Sequence, residues 1–197
     1  MQPRKSKGIV GTKQPAGGIQ APLGPWLTAI FFLSGAAGLG YQVVWAKLFA
    51  TGVGHEFPAV LAVVTAFMAG MALGASAFER LPDSLKFHPG AYGWLELIIG
   101  AWGLLTVLLI PAANEWVLDF LGVQLSPVKQ WLVVFASVLL CLLPATAAMG
   151  ATLPAIELTL TCGLPRQAVG LLYGANTGGA VLGAVASAFW VMPRLGL

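Results

Sequence analysis

Five stretches of this chain, residues 26–46, 58–78, 97–114, 130–156 and 167–193, contain no Asp, Glu, Lys or Arg and consist mostly of apolar and small residues. At a rise of 1.5 Å per residue, about 20 apolar residues cover the roughly 30 Å hydrocarbon core of a bilayer, so each stretch can cross it as a helix. In lipid only helices and closed barrels satisfy their own backbones, and nothing here alternates with the period of two that a barrel strand needs. The pattern predicts an all-α fold, a polytopic transmembrane helix bundle of about five spans.

Between the third and fourth stretches the pattern changes. Glu115 and Asp119 stand four apart, while Trp116, Val117, Phe120 and Leu121 fill another helical face. This predicts a short interfacial helix over 114–125, lying on the membrane surface; a short ordered loop is the alternative. Ser126-Pro127 reads as the cap and first residue of the next helix. The fourth stretch carries Pro144 and Pro154 and predicts one tilted, kinked helix, because two crossings need about 40 residues.

Composition supports the membrane reading. Hydrophobic residues make up 58% of the 197 and charged residues 9%, with a mean hydropathy of +0.85, against roughly 25% charged residues in an average soluble domain. A net charge of +3 is too thin to propose nucleic acid as a partner. The basic residues do set an orientation. With the amino terminus in the cytoplasm, Arg4, Lys5, Lys7, Lys13, Arg80, Lys86 and Arg166 fall inside and Lys47, Lys129 and Arg194 outside, seven against three, as the positive-inside rule requires. Residues 1–24, rich in Gly, Pro, Lys and Gln, read as a disordered basic cytoplasmic tail before a transmembrane helical domain at 25–197. The first apolar stretch is too long for a signal-peptide core. Trp26, Trp94, Trp116 and Trp131 fall near the expected interfaces, where an aromatic belt accounts for them.

Small residues recur every fourth position: Ser34/Gly38, Ala36/Gly40, Gly70/Gly74, Thr146/Gly150, Gly174/Gly178 and Gly179/Gly183/Ser187. Such faces let helix backbones approach closely, whether within the bundle, in an oligomer or against a partner subunit. The run from Gly70 to Ala75 resembles the run from Gly179 to Ala184, on helices expected to run oppositely. An inverted repeat of transporter type is one reading, and shared small-residue composition is the other.

The segments Ser34-Gly35 with Gly40-Tyr41-Gln42-Val43-Val44-Trp45-Ala46-Lys47-Leu48, Ala66 to Gly74, Leu143-Pro144-Ala145-Thr146 with Met149 to Pro154, and Leu172 to Gly183 together resemble the membrane module of bacterial spermidine synthase-like proteins, in which a major-facilitator-like membrane part is fused to a soluble enzyme. The resemblance covers most of residues 30–197. It implies a bacterial cytoplasmic (inner) membrane protein, polyamine chemistry, and a soluble aminopropyltransferase domain that does not follow Leu197 here. The chain is therefore expected to be a membrane module cut short. Two positions depart from the family pattern: Gln42 stands where the family carries Glu, and Lys47 where it carries Arg. An amide at 42 removes a titratable group and puts a proton-coupled role there in doubt.

Candidate chemistry inside the membrane is sparse. Gln42, Glu96, Asn176 and Glu157 are the polar candidates. Glu96, close to Trp94, reads either as an interfacial carboxylate or as an amine-binding carboxylate that faces a cavity, paired with Asn176 and backed by Tyr41 or Trp45 for cation–π contact. His55 and His88 fall in loops on opposite sides and cannot share a metal. Cys141 and Cys162, 21 residues apart, are about 30 Å apart if helical and do not pair. No catalytic set and no cofactor site can be assembled. Two functions follow. In one, the chain is a non-catalytic subunit that packs against other membrane proteins, or itself, in the bilayer through Gly38, Gly40, Gly70, Gly74, Gly150, Gly174, Gly178, Gly179 and Gly183. In the other, it is a transporter or membrane-enzyme module for a cationic amine, with Glu96, Gln42 and Asn176 on a cavity.

Overall fold

The computed structural model describes residues 25–53, 56–86, 88, 90–121, 126–160 and 166–196. The expected tail at 1–24 lies outside them, as do His55 and Cys162. Among the described residues every regular element is helical: α1 (Pro25–Val53), α2 (Glu56–Glu79), α3 (Asp83–Lys86), α4 (Ala91–Leu121), α5 (Pro127–Leu160) and α6 (Arg166–Ala186), then a π-helical turn (Ser187–Val191) and α7 (Met192–Leu195). Five of them, α1, α2, α4, α5 and α6 with its extension, are long and apolar enough to cross a membrane. The chain is an all-helical, multi-pass membrane protein.

Several helix ends follow from local chemistry. Pro127 opens α5, with Ser126 O accepting the Gln130 N–H at 3.2 Å. Proline is suited to a first helical turn because its missing N–H would have no partner there. At the end of α2, the Lys86 ammonium donates to Glu79 O at 3.3 Å and pairs with Asp83 at 3.1 Å, a cation placed where the carbonyls of a helix end are unpaired. The Gly90 N–H donates to His88 Nδ1 at 3.1 Å, so His88 shapes the turn into α4. In the π-helical turn the Met192 N–H bonds Ser187 O. Pro193, which has no N–H to give the carbonyl four residues back, follows immediately.

One expectation is corrected. Residues 114–121 do not form a separate surface helix; they continue α4 without a break, while 122–125 lie outside the described residues. Pro111 sits inside α4 at an exposed position. Beyond it, Val117 is buried in the main core, so the segment packs on the bundle through that residue, while Trp116 and Phe120 are exposed. Glu115 and Asp119 are exposed, and Trp116 stacks on Phe120 at 5.3 Å. The fourth span is one helix through Pro144 and Pro154, as expected. Trp26, Trp94, Trp116 and Trp131 are all exposed near helix ends, where an aromatic belt would place them.

Packing is concentrated in two parallel pairs. In the first, Gly179 and Gly183 of α6 lie against the backbones of Phe32 and Ala36 of α1, and Gly35 against that of Asn176. In the second, Gly74 of α2 lies against the backbone of Ala147, Gly70 against the Thr146 side chain, and Gly150 of α5 against the backbone of Met71. A Cβ at any of these glycines would overlap the facing helix, so the close approach requires the missing side chain. The largest core unites α1, α2, α4 and α5 at the end of the bundle where α1 finishes, around Trp45, Phe49, Val63, Ile110, Val138 and Leu142. Buried hydroxyls bond within their own helices, Thr146 to Leu142 O at 2.9 Å and Ser137 to Val134 O at 2.8 Å, which satisfies them without water.

Candidate intramembrane polar site

The polar side chains that converge come from helices far apart in sequence. Ser34 lies on the α1 face turned toward α4, and its hydroxyl donates to Glu96 Oε1 at 2.8 Å. Glu96 is half-buried, one turn into α4. One turn earlier, Tyr92 stacks on Phe31 with ring centroids 5.8 Å apart and planes 6° from parallel. The Tyr92 hydroxyl is buried beside Glu96 and Ser34, the two side chains placed to hydrogen-bond it, though neither bond is fully formed. From α6, Asn176 donates through Nδ2 to Phe31 O at 3.2 Å, which leaves its carbonyl oxygen and one N–H uncommitted.

Ser34, Tyr92 and Asn176 border a cavity of about 240 Å³, lined also by Phe31, Thr152 and Tyr173, whereas Glu96 does not line it and reaches its wall only through Ser34. A second space of about 210 Å³ adjoins it. Ser34, Met71, Met149, Thr152, Asn176 and Ala180 line both. Ser34 is about 9 residues, or roughly 14 Å, from the start of α1, and Glu96 five residues, or roughly 8 Å, from the start of α4. A carboxylate is costly at such depth unless it meets a donor or a cation. Here one donor is present, and the ring faces of Phe31, Tyr92 and Tyr173 offer the negative electrostatic surface that attracts an organic cation.

Of the residues expected from sequence, Glu96 and Asn176 come together, joined through Ser34 and Phe31. Gln42 does not join them: it is half-buried on α1 and lines none of the cavities described. Tyr41 and Trp45 stack on each other at 5.4 Å beside a different groove of about 400 Å³ between α1, α4 and α6. Trp45 is 1% exposed and donates to Thr106 Oγ1 at 2.9 Å, so its ring is committed to the core. The aromatic residues on the 240 Å³ cavity are instead Phe31, Tyr92 and Tyr173, the first two stacked on each other. Glu157 is exposed near the end of α5. No group of three His, Cys, Asp or Glu among the described residues could hold a metal ion.

The glycines divide into two groups. Gly40, Gly70, Gly74, Gly150, Gly179 and Gly183 all face another helix of this chain closely, and Gly38 only loosely, toward Met149. A Cβ on Gly174 or Gly178 would meet nothing within 4 Å. Tyr92 was not singled out by sequence, and Ser34 only as a small packing residue and part of a motif, not as a polar site residue. A lone hydroxyl on an apolar helix has no local signature, and only the 62-residue separation closed by the fold reveals its partner. Comparison with protein-family models, curated proteins and solved structures finds no match for this chain, so the argument for function rests on the geometry.

Proposed function

We propose that this chain is an integral membrane module that holds a small organic cation, an amine of the polyamine kind, in the cavity bounded by Phe31, Ser34, Tyr92, Tyr173 and Asn176. One observation carries the reading: an intramembrane carboxylate, Glu96, is connected by a single hydrogen bond to Ser34 on the wall of an aromatic-lined cavity. Glu96 supplies the counter-charge, the rings stabilise the alkylammonium, and the free oxygen of Asn176 accepts one of its N–H groups. The resemblance to spermidine synthase-like membrane modules supports the same class of ligand. On this reading the protein lies in a bacterial inner membrane with its amino terminus in the cytoplasm, and the site is nearer the cytoplasmic face.

The test is equilibrium binding of radiolabelled spermidine to the purified chain in lipid nanodiscs, with tetramethylammonium as competitor. Glu96→Gln keeps an acceptor for Ser34 and removes the charge. It should weaken binding at least tenfold, or about 1.4 kcal/mol. Unchanged affinity in that variant, or no saturable binding by the wild type, would defeat the proposal.

A second reading, a non-catalytic subunit that packs against another membrane helix, is favoured by one feature. Gly170, Gly174 and Gly178 form an open face of α6 with no neighbour within 4 Å of a built Cβ. Replacing Gly174 and Gly178 by Leu should abolish any self-association or co-purifying subunit seen by single-molecule photobleaching. Retention of the assembly would count against it.

A further inference from the structure

The two adjoining spaces differ in chemistry. The larger one alone is lined by Phe31, Tyr92, Leu153, Tyr173 and Thr177, which bring aromatic rings and hydroxyls. The smaller one alone is lined by Gly35, Gly38, Leu39, Phe67 and Met68, none of which carries a side-chain donor or acceptor. Every polar side chain on the smaller space is one that it shares with the larger: Ser34, Thr152 and Asn176. These stand at the junction, and two of them already spend a donor within the bundle, Ser34 on Glu96 and Thr152 on Met149 O.

The combined space is therefore polarised along its length. At one end an ammonium meets rings, the free oxygen of Asn176 and, behind Ser34, the Glu96 carboxylate. At the other end a charge would have neither counter-charge nor hydrogen bond, which makes its desolvation costly. Met68, at the edge of the smaller space, is exposed midway along α2, at a depth where the bilayer offers hydrocarbon and not water. A hydrocarbon chain meets no such penalty there. Met68, Met71 and Met149 border the space, and thioether side chains, with three rotatable bonds, mould themselves to an apolar guest.

We infer that the ligand of this site is an amine with an apolar arm: the ammonium lies among Tyr92, Ser34 and Asn176, and the arm passes Met71 and Met149 into the smaller space. This rests on the cation reading above and narrows its substrate class. A second ammonium at the far end of the arm is rejected. Further amino groups of a polyamine have to lie the other way, toward Tyr173 and Thr177, both of which are exposed.

The test compares arms of equal length with and without a terminal charge. Binding of radiolabelled n-pentylammonium to the purified chain in lipid nanodiscs is measured, with empty nanodiscs giving the uptake by lipid. Methylammonium and cadaverine, the same five-carbon arm ending in a second ammonium, are the competitors. Each methylene moved from water into an apolar site is worth roughly fourfold in affinity. n-Pentylammonium should therefore bind at least tenfold more tightly than either competitor. Gly38→Leu fills the smaller space from a position where a Cβ meets only Met149 Sδ, 4.0 Å away, and should erase the advantage over methylammonium. Leu39→Ala enlarges the same space. It should raise the affinity for n-heptylammonium relative to n-pentylammonium by about threefold or more, and it decides the matter if Gly38→Leu does not fold. Cadaverine binding as tightly as n-pentylammonium, or arm-length preferences unaltered in both variants, would overturn the inference. Failure of every amine to bind saturably would defeat the cation reading and this inference with it, whereas binding that depends on Glu96 but not on the arm would defeat the inference alone.

Discussion

The glycine contacts allow a matched experiment in which one chemical change has opposite effects at different sites. Adding a methyl group at Gly74 would place it 2.6 Å from Ala147 Cα, and closer still to its carbonyl oxygen. Backbone atoms cannot swing aside as a side chain can, so α2 and α5 must part by about 1 Å, a gap that forfeits a quarter to a half of the dispersion energy of each contact that opens. Overpacking of this kind costs about 1–3 kcal/mol. No hydrophobic force between helices in lipid offsets the loss. Gly183→Ala faces the same obstacle in the backbone of Ala36 and should cost a similar amount. At Gly174 and Gly178 the new methyl meets open space, and the better helix propensity of alanine should leave stability unchanged or raise it by up to about 1 kcal/mol. Unfolding in mixed micelles with rising SDS, followed by reaction of the half-buried Cys141 thiol with Cys162 replaced by Ser, measures all four variants on one scale. The reasoning fails if Gly74→Ala unfolds at the wild-type midpoint, or if Gly174→Ala loses as much stability as Gly74→Ala.

Three further outcomes follow from single contacts. Asn114→Ala removes the Nδ2 donor to Leu48 O, 3.0 Å away, and should cost about 0.6 kcal/mol, and no more than about 1.7, as interhelical hydrogen bonds in membranes do; the same SDS titration measures it. Trp45→Phe loses the hydrogen bond to Thr106 and leaves part of a fully enclosed site unfilled. A loss of about 1–3 kcal/mol is expected in the same titration. Lys47→Ala breaks the 3.0 Å ion pair with Glu56, whose carboxylate is 76% exposed. The change should be below about 1 kcal/mol and should vanish at high salt, which a titration at two ionic strengths would show.

Much of the fold could be read from the chain because the bilayer leaves few alternatives. A charge-free run of about 20 residues has to be a helix there, and each of the five runs became one. The end of α4 was harder. Glu115 and Asp119 make the segment amphipathic, a pattern shared by a surface helix and by the last turns of a span emerging from the membrane. What separates them is the burial of Val117 in the same core as Ile110, a tertiary fact that periodicity does not contain. The site was legible in part for the same reason. Charge is rare enough in these helices for Glu96 to stand out, and Asn176 likewise. Which aromatic residues accompany them depends on where along α1 the other helices cross it. Trp45 meets Thr106 in the core, while Phe31, nearly four turns earlier and so on much the same face, meets Tyr92.

The fate of the small residues changes the balance between the two functions. Read along the chain, Gly70, Gly74, Gly150, Gly179 and Gly183 serve equally well for internal packing or for recruiting a partner. In the fold all five lie against helices of this same chain, so their abundance is accounted for without another subunit. Among the described residues, the Gly170, Gly174 and Gly178 face remains open for one, as do Gly93 and Gly100 of α4. The polar residues present the opposite case. Ser34 and Asn176 sit on two helices zipped closely by glycine, so their positions relative to each other are fixed, while Glu96 and Tyr92 reach them from α4, outside either glycine-packed pair. A bundle serving only to hold neighbours in place has no need of a cavity with a carboxylate close behind its wall. On the cation reading a bound ammonium hydrogen-bonds the Tyr92 hydroxyl, and for this reason Tyr92→Phe, which removes only the hydroxyl, should weaken spermidine binding in nanodiscs while leaving the unfolding midpoint little changed. A lower midpoint with unaltered binding would assign Tyr92 to packing alone.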